Sequence, residues 1–152
     1  MKIHFSIAKN KKAKDVSAKL LNLYGQVELE KADIIVAVGG DGAMLAAMRE
    51  SINYNIPVFG LNRGNIGFLM NDFYESDLIK RLENAYEIIV HPLEMVAVDS
   101  KNNQFTELAI NEVSIFRRTH QSAIISIKID NTERLNELTC DGVMVATPVG
   151  ST

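Results

Sequence analysis

The residues best suited to chemistry in this sequence are Gly39-Gly40-Asp41-Gly42, which stand between an apolar predicted strand, Ile34–Val38, and a predicted helix that begins near Ala43. Glycines at a strand-to-helix turn let backbone N–H groups approach a phosphate, and the helix N-terminus adds its positive dipole end. A carboxylate there repels that phosphate unless it binds a metal ion, accepts a proton from an attacking hydroxyl or hydrogen-bonds a sugar. All three roles predict phosphoryl transfer to an alcohol.

This turn matches neither of two common nucleotide loops. No Lys-Ser or Lys-Thr pair follows Gly42, as a Walker P-loop requires. Leu45 stands where a dinucleotide fingerprint has its third glycine. The sequence therefore favours a different kind of phosphate loop.

A second glycine-rich segment, Gly60–Leu69, follows the predicted strand Pro57–Gly60. Three glycines within eight residues predict a constrained loop, although a plain connection explains the segment equally well. Arg63 offers this loop a cation for a phosphate or for a nearby carboxylate.

Two further motifs lie in the second half of the chain. Asn111-Glu112 pairs an amide with a carboxylate, which together can hold the vicinal hydroxyls of a ribose. Taken alone, the pair is better explained as two ordinary polar residues at a strand edge, because two-residue matches are common. In Asp141–Thr152, a buried strand runs into Thr-Pro and Gly-Ser-Thr, which offers hydroxyls and N–H groups to a nucleotide. The alternative for that segment is a strand followed by a turn.

The remaining titratable residues predict no metal site. His4, His91 and His120 are scattered without the spacing of metal ligands. Cys140 is the only cysteine, so no intramolecular disulfide can form, and we expect an inert thiol in a reducing cytoplasm.

Residues 1–85 show the alternation of strands and helices that positions such loops. We predict a strand at Lys2–Ala8, a helix at Asp15–Tyr24 with Leu20 and Leu23 facing inward, and a helix at Glu75–Glu83. The alternation predicts an α/β fold, a Rossmann-like lobe with a parallel sheet whose ligands gather at the carboxyl ends of its strands. The Asp41 turn lies at one such end.

Residues 86–152 predict instead the start of a β-rich, sandwich-like lobe. Asp130-Asn131 offers a turn between two of its strands. Strands without partners would leave unpaired edges, so we expect this lobe to be incomplete or dependent on another segment. The predicted strands are Glu87–Val90, Met95–Asp99, Glu112–Phe116, Ala123–Ile129 and Val143–Ala146.

Composition excludes several functional classes. With 152 residues, 47% of them hydrophobic, the chain can bury a core. A net charge of −3 and no dense basic stripe argue against nucleic-acid binding. No apolar run reaches membrane-spanning length, and the N-terminus lacks the apolar core of a signal peptide, so a cytoplasmic protein is expected.

Taken in order, the four motifs resemble those of the NAD kinase family, which phosphorylates the adenosine 2′-hydroxyl of NAD to give NADP. The resemblance implies two lobes with the site between them, ATP or polyphosphate as donor, a divalent metal such as Mg²⁺, and a homo-oligomer, either a dimer or a tetramer. It implies that Asp41 accepts the proton of the ribose hydroxyl. It further implies nucleotide contacts for Asp41, Gly42, Asn111, Glu112, Asp141, Ser151 and Thr152.

The sequence departs from the family pattern at three places. Val149 replaces a residue that usually carries a hydroxyl, and Thr139 stands where an arginine often precedes the aspartate, which weakens any cationic contact there. The sequence ends at Thr152, before the family's Ala-Tyr pair, so we expect half a site. A catalytically inactive NAD-binding fragment is therefore an alternative. A diacylglycerol-kinase-like or phosphofructokinase-like enzyme ranks lower, because no Gly-Thr-Gly-Asn-Asp run follows the turn.

Overall fold

The computed structural model describes residues 1–65 and 67–150 of the chain. Ser151 and Thr152, both predicted to bind NAD, lie outside the described residues, as does Ile66. The chain divides into two compact units, Met1–Ile89 and Val90–Thr152. The first unit contains β1 (Ile3–Ile7), α1 (Lys11–Tyr24), a 3-10 turn (Leu29–Lys31), β2 (Ile34–Gly39), α2 (Asp41–Ile52), β3 (Val58–Asn62) and α3 (Leu78–Glu83).

The first unit is built on a three-stranded parallel sheet, in the order β1-β2-β3, which confirms the predicted α/β lobe. Val36 of the central strand pairs with Phe5 on one side and Phe59 on the other. All six residues of β2 are buried, because the strand has a neighbour on each edge and helices against each face. The sheet therefore places the loops that follow β1, β2 and β3 at one edge.

Helix α1 covers one face of this sheet through the buried residues Ala13, Val16 and Leu20. The prediction for Leu23 was wrong, since its side chain is 58% exposed. Leu23 is three residues beyond Leu20, which is less than one full helical turn, so its side chain lies to the side of the buried face. Tyr24, four residues beyond Leu20, packs against the core. Asn10 caps the start of the helix, and Gly25, at φ 76°, ends it.

Helix α2 begins at Asp41, two residues earlier than predicted. Gly40 is its N-cap, and the Gly40 carbonyl accepts hydrogen bonds from the N–H groups of Ala43 and Met44. Asp41 and Gly42 therefore lie in the first turn of a helix and not in a free loop. Ala47 packs this helix on the opposite face of the sheet from α1.

Two predictions near the end of the first unit were also wrong. Helix α3 begins at Leu78, because Asp77 has a left-handed backbone conformation that interrupts any earlier start. Residues 87–90, predicted as a strand, form no strand, and the side chains of Ile88 and Ile89 are exposed.

The second unit consists of three antiparallel strand pairs, β4 with β5, β6 with β9 and β7 with β8. The predicted turn at Asp130-Asn131 is confirmed, and both residues have positive φ. Sequence analysis missed β5 and β8 because their polar residues obscure the alternation of a strand. The strands are β4 (Leu93–Val98), β5 (Gln104–Ala109), β6 (Glu112–Phe116), β7 (Ala123–Ile129), β8 (Thr132–Cys140) and β9 (Gly142–Ala146).

Across residues 1–65 and 67–150, no helix has both the length and the apolar character needed to cross a membrane.

Candidate functional site

Asp41 lies in the first turn of α2, where the chain leaves the carboxyl end of β2. Its Oδ2 accepts a hydrogen bond from the backbone N–H of Phe68 at 3.0 Å, and its Oδ1 accepts one from the N–H of Leu69 at 2.9 Å. The first two glycine-rich motifs therefore meet at this carboxylate. A carboxylate near a helix N-terminus is also favoured by the helix dipole.

The second motif is attached to the Asp41 turn at another point as well. Asn62, the last residue of β3, lies opposite Gly39 in the sheet, and the N–H of Arg63 donates to the Gly39 carbonyl at 2.6 Å. The loop then returns to β3, because Asn71 forms a parallel bridge with Leu61. These bonds attach both ends of the segment to the sheet edge, which favours a constrained loop over a plain connection.

Two glycines of the first motif differ in their surroundings. A Cβ on Gly39 would lie 2.7 Å from the Cβ of Ala43 and 2.8 Å from the Cβ of Ala8, so close packing requires glycine there. A Cβ on Gly42 would meet no described atom within 4 Å. The described fold therefore does not explain Gly42, and the open space at the start of α2 leaves room for a ligand.

Among residues 1–65 and 67–150, the Arg63 side chain pairs with an aromatic ring and a backbone carbonyl and with no carboxylate. Its guanidinium carbon lies 4.5 Å from the centre of the Phe73 ring, and its Nε donates to the Lys12 carbonyl at 3.4 Å. Lys12 in turn donates to the side chain of Asn65 at 2.7 Å. Arg63 thus contributes to the packing of the loop against the residues that open α1.

In the second unit, the third and fourth motifs are joined by Thr147. Its N–H donates to the Asn111 carbonyl at 2.8 Å. Its hydroxyl donates to the Ile110 carbonyl at 2.6 Å and accepts from the N–H of Gly150 at 3.1 Å. Thr147 is only 3% exposed, so its hydroxyl serves the fold and is not available to a nucleotide, contrary to the prediction from the sequence. Gly150 is required here because a Cβ would lie 2.2 Å from the Asn111 carbonyl oxygen.

This junction leaves two polar side chains available at the start of β6. Asn111 and Glu112 are partly buried. Within residues 1–65 and 67–150, neither side chain has a hydrogen-bond partner. An amide and a carboxylate in this state can bind the hydroxyl groups of a sugar.

Arg117 is a candidate site residue that sequence analysis missed. Asp141 is 75% exposed in its side chain, and its Oδ1 accepts from Arg117 Nε at 2.6 Å. The N–H of Arg117 also donates to the Asp141 carbonyl at 2.9 Å. Arg117 therefore supplies a cationic contact to the Asp141 carboxylate. The pairing of Phe116 with Gly142 aligns the two residues, a register that the sequence does not reveal.

The described part of the chain brings together no cluster of side-chain ligands for a metal ion. No group of three or more His, Cys, Asp or Glu side chains comes together there. Asp41 offers one carboxylate, and both of its oxygens already accept N–H groups. Mg²⁺ is commonly bound by one or two carboxylates together with waters and substrate phosphates. Asp41 would therefore hold such an ion only together with waters and substrate phosphates.

Comparison with known proteins identifies relatives along the whole chain. A family described as the ATP-NAD kinase N-terminal domain matches residues 2–89. The NAD kinase of Caulobacter vibrioides is 44% identical over 151 residues, which cover 99% of this chain and 58% of the relative. That of Brucella suis is 49% identical over 150 residues, with the same two coverages. The chain thus spans about 58% of the length of these curated relatives.

The fold has a counterpart among solved structures. The crystal structure of yeast NADH kinase complexed with NADH covers 100% of this chain at a TM-score of 0.73, and the match covers 56% of that chain. At 19% identity, this likeness shows a shared fold. The match to residues 2–89 extends over more than half of the sequence. The chain therefore belongs to the NAD kinase family.

Proposed function

We propose that this chain carries the nucleotide site of an NAD kinase and phosphorylates the adenosine 2′-hydroxyl of NAD to form NADP. The observation that supports this most is the position of Asp41. Its carboxylate stands at the start of α2, is held by two backbone N–H groups and adjoins the open space at Gly42. An oriented acidic group beside a ligand space suits proton transfer from a bound alcohol.

In the proposed reaction, Asp41 accepts the proton of the ribose 2′-hydroxyl while the hydroxyl oxygen attacks the terminal phosphorus of the donor. The new bond joins that oxygen to phosphorus, and the bond from phosphorus to the bridging oxygen breaks in line with it, so that ADP, or a polyphosphate shortened by one unit, leaves. Each Asp41 oxygen accepts one N–H group, and a carboxylate oxygen has two lone pairs. One lone pair on each oxygen therefore stays available for the proton.

We propose dinucleotide contacts at residues of the four motifs. Gly42 lets the nucleotide approach the backbone, Asn111 and Glu112 bind NAD, with Glu112 at ribose hydroxyls, and Asp141 contacts the dinucleotide. The lack of hydrogen-bond partners for Asn111 and Glu112 among the described residues supports their part of the assignment. Ser151 and Thr152 are proposed to bind NAD from the resemblance alone.

The phosphoryl donor and the oligomeric state are also proposed from the family resemblance. The donor is ATP, or polyphosphate as the alternative, and enters as its Mg²⁺ complex. We propose a cytoplasmic homo-oligomer, either a dimer or a tetramer. A single cysteine and an acidic balance of charge are consistent with that setting.

A second candidate is an NAD-binding module without turnover. The chain matches about 58% of the length of its curated relatives. Their whole activity is therefore a proposal for this chain, and NAD binding without turnover is the second candidate. Diacylglycerol-kinase-like and phosphofructokinase-like activities share only the first motif and leave Asn111-Glu112 unexplained.

One experiment on the 152-residue chain separates the two candidates. NAD is titrated calorimetrically, and NADP is then assayed with an NADP-specific dehydrogenase after incubation with NAD, ATP and Mg²⁺. We expect saturable binding and NADP formation. Binding without NADP would favour the module, and the absence of both would reject the two candidates together.

A further inference from the structure

The Asp41 carboxylate is oriented by the backbone of another loop and not by a side chain. We refer to the N–H groups of Phe68 and Leu69 as the clamp amides. They come from consecutive residues and hold different oxygens of the carboxylate. Within the described residues, Asp41 has no other side-chain hydrogen bond. The direction of its carboxylate therefore depends on the path of the loop that carries the clamp amides.

One side chain, that of Asn62, contacts this loop both before and after its turn. Its Oδ1 accepts a hydrogen bond from the N–H of Gly64 at 2.9 Å. Gly67 packs against the same amide group, since a Cβ there would lie 2.9 Å from both Cγ and Nδ2 of Asn62. Gly67 directly precedes the clamp amides, so Asn62 contacts the residue next to them.

Asn62 also connects this loop to the Asp41 turn. It is the last residue of β3 and lies opposite Gly39 in the parallel sheet. Its own N–H donates to the Asn71 carbonyl at 2.8 Å, at the point where the loop returns to the sheet. The backbone of Asn62 is therefore fixed at the sheet edge, and its side chain sets the loop relative to that edge.

We propose that Asn62 is a positioning residue for Asp41: it fixes the loop whose clamp amides hold both oxygens of the catalytic carboxylate. The catalytic part of this proposal rests on the proposed function, whereas the structural part does not. A misplacement of about 1 Å in a reacting group can lower a rate roughly 100-fold, so orientation of the carboxylate matters for turnover.

The structural part is tested by amide hydrogen exchange, measured residue by residue by NMR on the full chain. Phe68 is 81% exposed, so its N–H would exchange quickly without its bond to Asp41. We expect Asp41→Ala to remove protection at both clamp amides. We expect Asn62→Leu, which removes the oxygen acceptor, to lower their protection by about tenfold or more. Asn62→Asp keeps an oxygen acceptor for the N–H of Gly64 and should preserve the protection of both clamp amides.

Two controls separate a local change from a loss of folding. The amide of Val36, in the buried central strand, should keep its protection in every variant. Asn84→Leu removes a comparable bond, from the Asn84 side chain to the Lys80 carbonyl, and should leave the clamp amides unchanged. Unchanged protection of both clamp amides in Asn62→Leu would overturn the proposal.

The catalytic part is tested by NADP formation in the same variants. We expect Asn62→Leu to lower kcat with little change in the KM for NAD, and Asn62→Asp to restore kcat. Lost protection with unchanged kcat would overturn the positioning role. If the unmodified chain forms no NADP, the proposed function fails, and hydrogen exchange alone decides whether Asn62 holds the loop.

Discussion

At the scale of single residues, Gly39 and Gly42 are glycines for different reasons. They belong to the same motif, yet Gly39 is packed between Ala8 and Ala43 while Gly42 faces open space. Neither has a positive φ that would itself require glycine. The fold explains the first, and the proposed nucleotide explains the second.

We predict opposite effects for alanine at these two positions. Gly42→Ala should leave the free energy of unfolding unchanged or raise it by up to about 1 kcal/mol, because alanine favours a helix, while lowering NAD affinity about tenfold or more. Gly39→Ala should lower the free energy of unfolding by roughly 1–3 kcal/mol through overpacking. Urea denaturation and calorimetry measure both quantities. Undiminished NAD affinity in Gly42→Ala would count against a nucleotide contact there.

Residue types alone indicated Asp41, because a carboxylate in a phosphate loop has few explanations. They gave a wrong interpretation of Thr147, whose hydroxyl is used by the carbonyl of Ile110 and the N–H of Gly150. One of these partners is 37 residues away in sequence and the other is 3 residues away. The distant partner comes close only because β6 and β9 pair, which the sequence does not reveal. The same reason explains why Arg117 was missed.

At the scale of elements, helix α1 shows how far periodicity alone can place a residue. The sequence predicted the helix and its end at Gly25, but it placed Leu23 inward together with Leu20. Leu20 is fully buried and Leu23 is exposed. The face of the helix that packs on the sheet is narrower than the stripe of apolar residues in the sequence. Only the packed structure shows which apolar residues lie on that face.

The two leucines provide a matched test of this packing. Leu20→Ala should lower the free energy of unfolding by about 2–5 kcal/mol, since it leaves a cavity in the core. Leu23→Ala should change it by no more than about 0.5 kcal/mol. Urea denaturation of both variants measures the difference, and similar losses from both would contradict the described position of α1.

The pairing of β6 with β9 makes a prediction for Arg117. Because Asp141 is largely exposed, Arg117→Met should lower the free energy of unfolding by at most about 1 kcal/mol. It should nevertheless raise the Kd for NAD at least about twofold, since the Asp141 carboxylate loses its orientation. In an Asp141→Asn background, Arg117→Met should have no further effect on Kd. Equal effects in both backgrounds would show that Arg117 acts independently of Asp141.

At the scale of the whole molecule, the sequence predicted an α/β unit followed by a β-rich one, and the kind of fold is confirmed. Strong alternation of strands and helices made the parallel sheet predictable. The antiparallel pairs were harder to predict, because β5 and β8 carry many polar residues. Pairing with a neighbouring strand, more than their own residue pattern, makes these two segments strands. The order of the four motifs carried the family assignment, which no single motif would have supported.

The central claim, that Asp41 accepts the proton of the ribose hydroxyl in NADP formation, is tested most directly by Asp41→Asn. The full chain and this variant are compared for NADP formation from NAD, ATP and Mg²⁺, with NAD affinity and thermal unfolding measured alongside. We predict that Asp41→Asn lowers kcat by about 10²–10⁴-fold while the variant stays folded and still binds NAD. Turnover by the variant close to that of the unmodified chain would contradict the claim.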